Sequence, residues 1–239
     1  MVGRDRPSRW LIVCDHATNK VPPDVADGCL GVSDADMQRH IAYDVGAAGV
    51  TVRLAEQLKA PAVLSNFSRL VIDPNRGEDD PTLVMRLYDG TIIPANRHVD
   101  HAEVERRLRL CYRPYHAAIA ELAMHHPETV IVSIHSFTPQ LRGRPKRPWH
   151  VGFLHAEDTR LSDAVANLLR ADGEWSVGLN VPYSGKLHGD TIDKHAIQHV
   201  RQNTLIEVRN DLIADEKGQL EWADRLALLL PKALDVAEI

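Results

Sequence analysis

Residues 130–136 read Val-Ile-Val-Ser-Ile-His-Ser, a short run of β-branched residues that ends in an imidazole. Runs of this kind predict strands that are buried on both faces of a parallel sheet. Two other runs have the same form, WLIVCDH at residues 10–16 and LIEVR at residues 205–209. Because ligands of open α/β sheets bind at the carboxyl ends of the strands, we expect the two histidines and the glutamate to meet at one edge of the sheet.

The segments around these runs predict strands and helices in alternation. Strands are predicted at 9–14, 62–66, 70–73, 129–135, 149–155 and 203–209, and helices at 34–59, 100–125, 158–171 and 216–237. Ser33 is placed to cap the first helix, and Pro114 should kink or split the second. Residues 74–96 predict an irregular excursion. This order predicts a single α/β domain over residues 1–239, a three-layer αβα sandwich with a mixed, mainly parallel central sheet.

The composition is typical of a soluble globular protein, with 26% charged and 44% hydrophobic residues among 239. The formal net charge of −5 argues against a nucleic acid or an anionic membrane as partner. No stretch approaches the ~20 apolar residues of a membrane span. Cys14, Cys29 and Cys111 form no disulfide or zinc-knuckle pattern and fit a reducing compartment. We therefore expect a cytoplasmic protein that binds a small molecule, with its oligomeric state left open.

His16 and His135 are candidate metal ligands. One histidine after a strand is more often a hydrogen-bonded structural group, but two in equivalent positions are a better metal signal, and neutral imidazole suits zinc. Glu207 lies between apolar neighbours, where a carboxylate is costly unless it is paired or used. It is either an ion-pair partner of Arg209, two residues on, or a general base with a raised pKa.

Asp44 falls on the apolar stripe of the first predicted helix, one turn after His40. A carboxylate on the buried side of a helix would complete a metal site or orient His16. The alternative is that this edge of the stripe reaches solvent.

Arg69 and Arg76 flank a short predicted strand, and Asn75 precedes the second arginine. Because arginine binds carboxylates bidentately, this segment suits an acidic substrate, although it could equally be a salt-bridged turn. Glycine-rich nucleotide fingerprints and the G-x-S-x-G elbow are absent from the sequence, which disfavours a dinucleotide enzyme and a serine hydrolase.

Together, these motifs resemble the N-formylglutamate amidohydrolase (deformylase) family along nearly the whole chain. The matching segments are IVCDHATNKVP (12–22), HIAYDVGA (40–47), SRLVIDPNR (68–76), RLRLCYRPYH (107–116), SIHSF (133–137), NVPYSG (180–185) and LIEVRNDL (205–212). A more distant likeness is to the zinc carboxypeptidases and aspartoacylases, in which a metal histidine ends a strand much as in SIHSF. The resemblance implies a zinc-carboxypeptidase-like fold.

The resemblance also implies a divalent metal, with zinc the expected ion, held by His16 and His135. The zinc carboxypeptidases and aspartoacylases carry a glutamate three residues after the first histidine, where this chain has Asn19. The third ligand is therefore expected to be Asp44, with Asp15 and Asn19 as the other donors to consider.

The implied reaction is hydrolysis of the N-formyl or a related N-acyl amide of an acidic amino acid such as N-formylglutamate, with Glu207 as the general base. The residues expected to bind the substrate are Arg69, Asn75, Arg76, Ser136, Tyr183, Thr191 and His195. Two alternatives stay open: the same chemistry on another N-acyl amino acid or short peptide, and a non-catalytic binder of an acidic metabolite.

Overall fold

A computed structural model describes residues 1–238 of the chain, in which a six-stranded sheet forms the centre. Its strands are β1 (Trp10–Cys14), β2 (Ala62–Leu64), β5 (Val130–Phe137), β6 (Val151–Leu154), β7 (Val177–Leu179) and β8 (Asn203–Arg209). A two-stranded hairpin, β3 (Leu87–Tyr88) and β4 (Thr91–Ile92), stands apart from it. The order across the large sheet is β2-β1-β5-β8-β6-β7, and β6 runs antiparallel to β8 while the other pairings are parallel. The predicted mixed, mainly parallel sheet is confirmed.

Helices cover both faces of this sheet. They are α1 (Asp34–Met37), α2 (Ala47–Gln57), α3 (His101–Arg107), α4 (Arg113–Ala123), α5 (Arg160–Ala171), α6 (Thr191–His195) and α7 (Glu216–Ala237). On one face, α2, α5 and α7 enclose an apolar cluster with Ile12, Val132 and Ile206. On the other face, α4 packs over Leu11 and Ile131. These layers confirm the predicted three-layer α/β architecture. Within the described part of the chain, no helix has the length and hydrophobicity that a membrane span requires.

Alternation along the strands explains why polar groups gather on the α4 side of the sheet. Side chains two residues apart share a face. In β1 and the turn after it, Leu11 and Val13 are therefore followed on that face by Asp15; in β8, Leu205 is followed by Glu207. The amino-terminal half of this face is thus apolar core, and its carboxyl-terminal edge is polar.

The predicted long helix over residues 34–59 is wrong, because the chain forms α1 and α2 with a turn-rich loop between them. Ser33 does cap α1, accepting from the Asp36 N–H at 3.1 Å. Gly46 then adopts φ +81°, a left-handed conformation that interrupts the helical path. Asp44 consequently lies on this loop and not on a helix stripe, and its N–H donates to the His16 carbonyl at 2.9 Å. The loop is thereby held against the end of β1.

The smaller elements agree with the expectations only in part. Residues 70–73 form turns instead of a strand, although they are buried as apolar core. The α-helical pattern over residues 100–125 is interrupted near Pro114, as expected: a π-helical turn, Leu108–Tyr112, separates α3 from α4. Strand β7 and the short helix α6 were not predicted, since neither segment carries enough periodic residues to be recognised.

Candidate metal centre and active site

His16 and His135 lie at the carboxyl ends of the adjacent strands β1 and β5, with ring centroids 4.9 Å apart. Both rings turn their Nδ1 atoms towards one carboxylate oxygen, Asp44 Oδ2. The distances to this oxygen are 3.3 Å from His16 Nδ1 and 2.8 Å from His135 Nδ1. All three side chains are buried, and within the described residues they form a group whose donor atoms could share one metal ion.

The opposite nitrogen of each ring faces a second carboxylate. His16 Nε2 lies 2.8 Å from Asp73 Oδ1, and His135 Nε2 lies 2.9 Å from Asp15 Oδ2. An ionised carboxylate only accepts hydrogen bonds, so each Nε2 carries the hydrogen and donates it. In the neutral tautomer the Nδ1 lone pair then points to the shared centre. Metal-bound histidines are oriented by carboxylates in this way.

The donor set fits a divalent cation in charge and in size. Asp15, Asp44 and Asp73 are buried carboxylates, and the guanidinium of Arg69 contacts two of them, so with neutral imidazoles the group carries two unbalanced negative charges. Neighbouring ligands of a tetrahedral zinc ion, at about 2.0 Å from the metal, lie about 3.3 Å apart. The separations of 2.8 and 3.3 Å around Asp44 Oδ2 are close to this value, and all three donor atoms lie within 4.8 Å of one another.

A proton on His135 balances part of that negative charge when no cation is bound. Burial lowers the pKa of His135, but its hydrogen bonds to Asp15 and Asp44 outweigh burial and raise the pKa well above its usual range. Protons and a cation would therefore compete for the same ring nitrogen.

The three donors considered for the third ligand have different surroundings. Asp44 lies at the point that both Nδ1 atoms face. Asp15 binds the far side of the His135 ring, and Asn19 is remote from this point because its amide donates to the Met37 carbonyl at 2.9 Å. Asp44 is therefore the carboxylate that the geometry favours as a ligand.

Glu207 lies beside His135, since the two residues are paired in register between β8 and β5. Its side chain is 6% exposed and lines the same cavity as the histidines, and its Oε2 has no hydrogen-bond partner among the described residues. The alternative of an ion pair with Arg209 is not supported, because Arg209 pairs with Asp211 at 2.7 Å. Burial raises the pKa of Glu207 to about 7, which suits a group that exchanges protons near neutrality.

A cavity of about 290 Å³ opens above these groups, and Asn75 and Arg76 form part of its wall. The Asn75 amide oxygen accepts from the Thr191 N–H at 3.2 Å, which leaves its NH₂ as a donor for a ligand. Arg76 binds the Asn75 carbonyl and the Thr82 hydroxyl. Within residues 1–238 it has no carboxylate partner, so its guanidinium is the cation available to an anionic group in the cavity.

Arg69 and Ser136 also line the cavity, but their polar groups are engaged inside the protein. Arg69 donates through Nε and Nη2 to Asp73 Oδ2, at 3.1 and 2.6 Å. This ion pair corresponds to the salt-bridged turn that the sequence left open for residues 68–76. The Ser136 hydroxyl donates to the Val45 carbonyl, and its N–H donates to Asp44 Oδ2 at 3.2 Å. Both residues help to hold Asp44 and its neighbours in place, and because both also line the cavity, their expected role in binding the substrate stays a prediction.

The other expected substrate residues divide into two groups. Tyr183 lines the cavity at its rim, where its hydroxyl accepts from Arg147 at 3.3 Å. Thr191 and His195 do not line the cavity. Thr191 donates to Asp15, and His195 contacts His116 at 2.9 Å. The expectation that these two form a wall of the pocket is therefore corrected.

Sequence reasoning missed Asp73 and Asp190 as site residues. The sequence marks Asp73 only as part of a turn, although its place in the motif at 68–76 is a signal. Asp190 caps α6 through the Asp193 N–H and lines the cavity, and burial raises its pKa to about 7. No periodic pattern marks this residue.

The comparison with known proteins decides the family. A family model described as FGase, N-formylglutamate amidohydrolase, matches residues 8–214. The chain belongs to the N-formylglutamate amidohydrolase family. This membership makes the protein an amidohydrolase, an enzyme that hydrolyses carbon–nitrogen bonds. The resemblance found in the sequence motifs is confirmed.

Two solved structures are similar to this member of the N-formylglutamate amidohydrolase family. The gene product Atu2144 from Agrobacterium tumefaciens is 36% identical, with a TM-score of 0.91 over 99% of this chain and 94% of that chain. An N-formylglutamate amidohydrolase from Ralstonia eutropha JMP134 is 23% identical, with a TM-score of 0.73 over 97% of this chain and 93% of that chain, which supports the shared fold. Among curated proteins, none matches the chain significantly.

Proposed function

We propose that this amidohydrolase uses a divalent metal, most simply zinc, to remove the N-formyl group from an acidic N-formyl amino acid such as N-formylglutamate. The observation that carries the proposal is the convergence of His16 Nδ1 and His135 Nδ1 on Asp44 Oδ2, with an unpartnered Glu207 oxygen in the same cavity. These three residues would hold the ion. When bound, it would act as a Lewis acid on the amide carbonyl and lower the pKa of a water molecule.

Glu207 supplies the proton transfers. With a pKa raised to about 7 by burial, its carboxylate takes a proton from the attacking water and, once protonated, delivers it to the leaving nitrogen. Water adds to the formyl carbon and the carbon–nitrogen bond breaks, which gives formate and the free amino acid. Without this transfer the nitrogen would have to leave as an amide anion.

Arg76 and Asn75 position the substrate. The unpaired guanidinium of Arg76 binds a substrate carboxylate, and the oriented NH₂ of Asn75 donates to the same group. Tyr183 and Arg147 at the rim would contact the part of the substrate that faces solvent. This arrangement favours acidic N-acyl amino acids over neutral amides.

Formate release from N-formylglutamate tests the proposal, with wild-type enzyme and Glu207→Gln assayed after metal removal and after zinc is restored. We expect zinc-dependent release in the wild type and a kcat at least about 10²-fold lower in the variant. Equal, metal-independent rates in both proteins would contradict the mechanism.

A panel of N-formyl, N-acetyl and dipeptide substrates separates the specific substrate from its alternatives, because an acyl pocket discriminates by shape. A higher kcat/KM for an N-acetyl or dipeptide substrate would move the assignment to another N-acyl amino acid or short peptide. Stoichiometric binding of N-formylglutamate without turnover of any substrate would favour a non-catalytic binder.

A further inference from the structure

The Asp15 carboxylate is fully buried, and four side chains donate to it. Its Oδ2 accepts from His135 Nε2 at 2.9 Å and from the Ser133 hydroxyl at 3.1 Å. Its Oδ1 accepts from the Tyr115 hydroxyl at 2.9 Å and from the Thr191 hydroxyl at 2.5 Å. The donors come from β5, α4 and α6, so three separate elements fix the plane of this carboxylate.

The two hydroxyls on Oδ1 have rigid supports. The Tyr115 ring is buried and packs edge to face against Phe67 and His116, at centroid distances of 6.5 and 5.5 Å. Thr191 is fully buried at the first position of α6, and its N–H is bound to the Asn75 side chain. Each hydroxyl is therefore placed by contacts that do not involve Asp15.

We propose that Tyr115 and Thr191 are positioning residues for the metal centre, because they fix Asp15 and through it the direction in which His135 Nδ1 points. The inference rests on the metal site of the proposed function. It adds a layer of residues that never touch the ion or the substrate but set the affinity of the ion. His16 is held differently, since its carboxylate partner Asp73 is bound by the charged Arg69 and by the Asn75 N–H.

The competing explanation is that the two hydroxyls only satisfy a buried carboxylate and so stabilise the fold. The explanations differ in what changes when a hydroxyl is removed. A purely structural role would lower the stability of the metal-free protein and leave its intrinsic metal affinity as it was. A positioning role lowers the affinity, because the ring that carries Nδ1 gains freedom to tilt.

The test measures the Zn²⁺ dissociation constant of the metal-free protein by competition with a chelator, together with its urea midpoint. Tyr115→Phe and Thr191→Val should each weaken Zn²⁺ binding about 10-fold, within the range found for residues that orient metal ligands. Thr191→Ser keeps the hydroxyl and should restore near wild-type affinity. Thr51→Val is the matched control, because Thr51 is also buried and donates to a backbone carbonyl, Ala47 O at 2.8 Å, in α2.

Wild-type Zn²⁺ affinity in both Tyr115→Phe and Thr191→Val would overturn the inference, as would an equal loss of affinity in Thr51→Val. A Thr191→Ser variant that binds as weakly as Thr191→Val would also contradict it. If Tyr115→Phe does not fold, the Thr191 pair decides the question alone. A wild-type protein that binds no Zn²⁺ would refute the proposed function itself, whereas tight wild-type binding that the variants retain refutes only the positioning role.

Discussion

Substitution of Glu207 by glutamine in the metal-free protein should change how stability depends on pH. Glu207 sits in the central strand β8 with 6% of its surface exposed and one carboxylate oxygen without a partner among the described residues. Burial raises the pKa of its carboxyl to about 7, with His135 opposing this shift and Asp44 adding to it. The folded chain therefore keeps this proton at a pH where the unfolded chain has lost it.

The sign and the size of the effect follow from that difference. The unfolded carboxyl titrates near 4.5 and the folded one near 7, so the contribution of Glu207 to stability is complete below pH 4.5 and is lost as the pH rises to 7. Each pH unit in this window costs about 1.4 kcal/mol, which gives a limit of about 3 kcal/mol. Glutamine does not titrate, so Glu207→Gln should gain stability relative to wild type across the window and hold that gain above pH 7.

Urea unfolding of both proteins in excess chelator, from pH 4 to pH 9, measures this difference directly. Titrating groups remote from Glu207 cancel in the comparison, whereas His135 and Asp44, whose charges interact with Glu207, contribute to the difference. Glu56→Gln, which changes an exposed carboxyl on α2, is the matched control and should follow the wild-type curve. If the difference in free energy of unfolding between Glu207→Gln and wild type does not vary with pH, folding does not raise the pKa of this carboxyl and the reasoning is refuted.

Three further substitutions test the anchor, the loop and the ligand orientation. Arg76→Ala should raise KM for N-formylglutamate about 10²-fold with a smaller effect on kcat, because its guanidinium binds the ground state and the transition state alike. An unchanged KM would show that Arg76 does not bind the substrate. Gly46→Ala should lower the free energy of unfolding much more than Gly143→Ala does. Both glycines have positive φ, but a Cβ at Gly46 would lie 2.0 Å from a backbone oxygen, while one at Gly143 meets nothing within 4 Å. Equal losses of stability in urea unfolding would contradict the close packing at Gly46. Asp73→Asn should weaken Zn²⁺ binding about 10–100-fold in chelator competition, because His16 loses its charged acceptor; unchanged affinity would count against that orientation.

The central strands and their chemistry could be predicted because both depend on short-range patterns. The runs ending at His16, at His135 and around Glu207 alternate with helical segments, and this order alone predicts a mainly parallel sheet with the three groups at one edge. The register that pairs His135 with Glu207 was not needed for the prediction, but it explains why the two side chains share a cavity.

The features that the sequence does not predict depend on tertiary contacts. Asp44 reaches the candidate metal site because Gly46 interrupts the helical path and a backbone hydrogen bond ties the loop to His16, and neither feature has a periodic signature. The sequence favours Arg69 as a substrate ligand, because a free arginine suits a carboxylate. In the folded chain its partner is Asp73, four residues away, and only the three-dimensional structure shows that this pair also supports His16.

The account depends on one ion shared by side chains from distant parts of the chain. Elemental analysis of the purified protein after dialysis tests this most directly, with His16→Ala and His135→Ala beside the wild type and exposed His199→Ala as the control. The account predicts about one zinc or other divalent transition metal ion per chain in the wild type and the control, and close to none in the two site variants. A wild type without metal, or an ion that persists in both site variants, would contradict it.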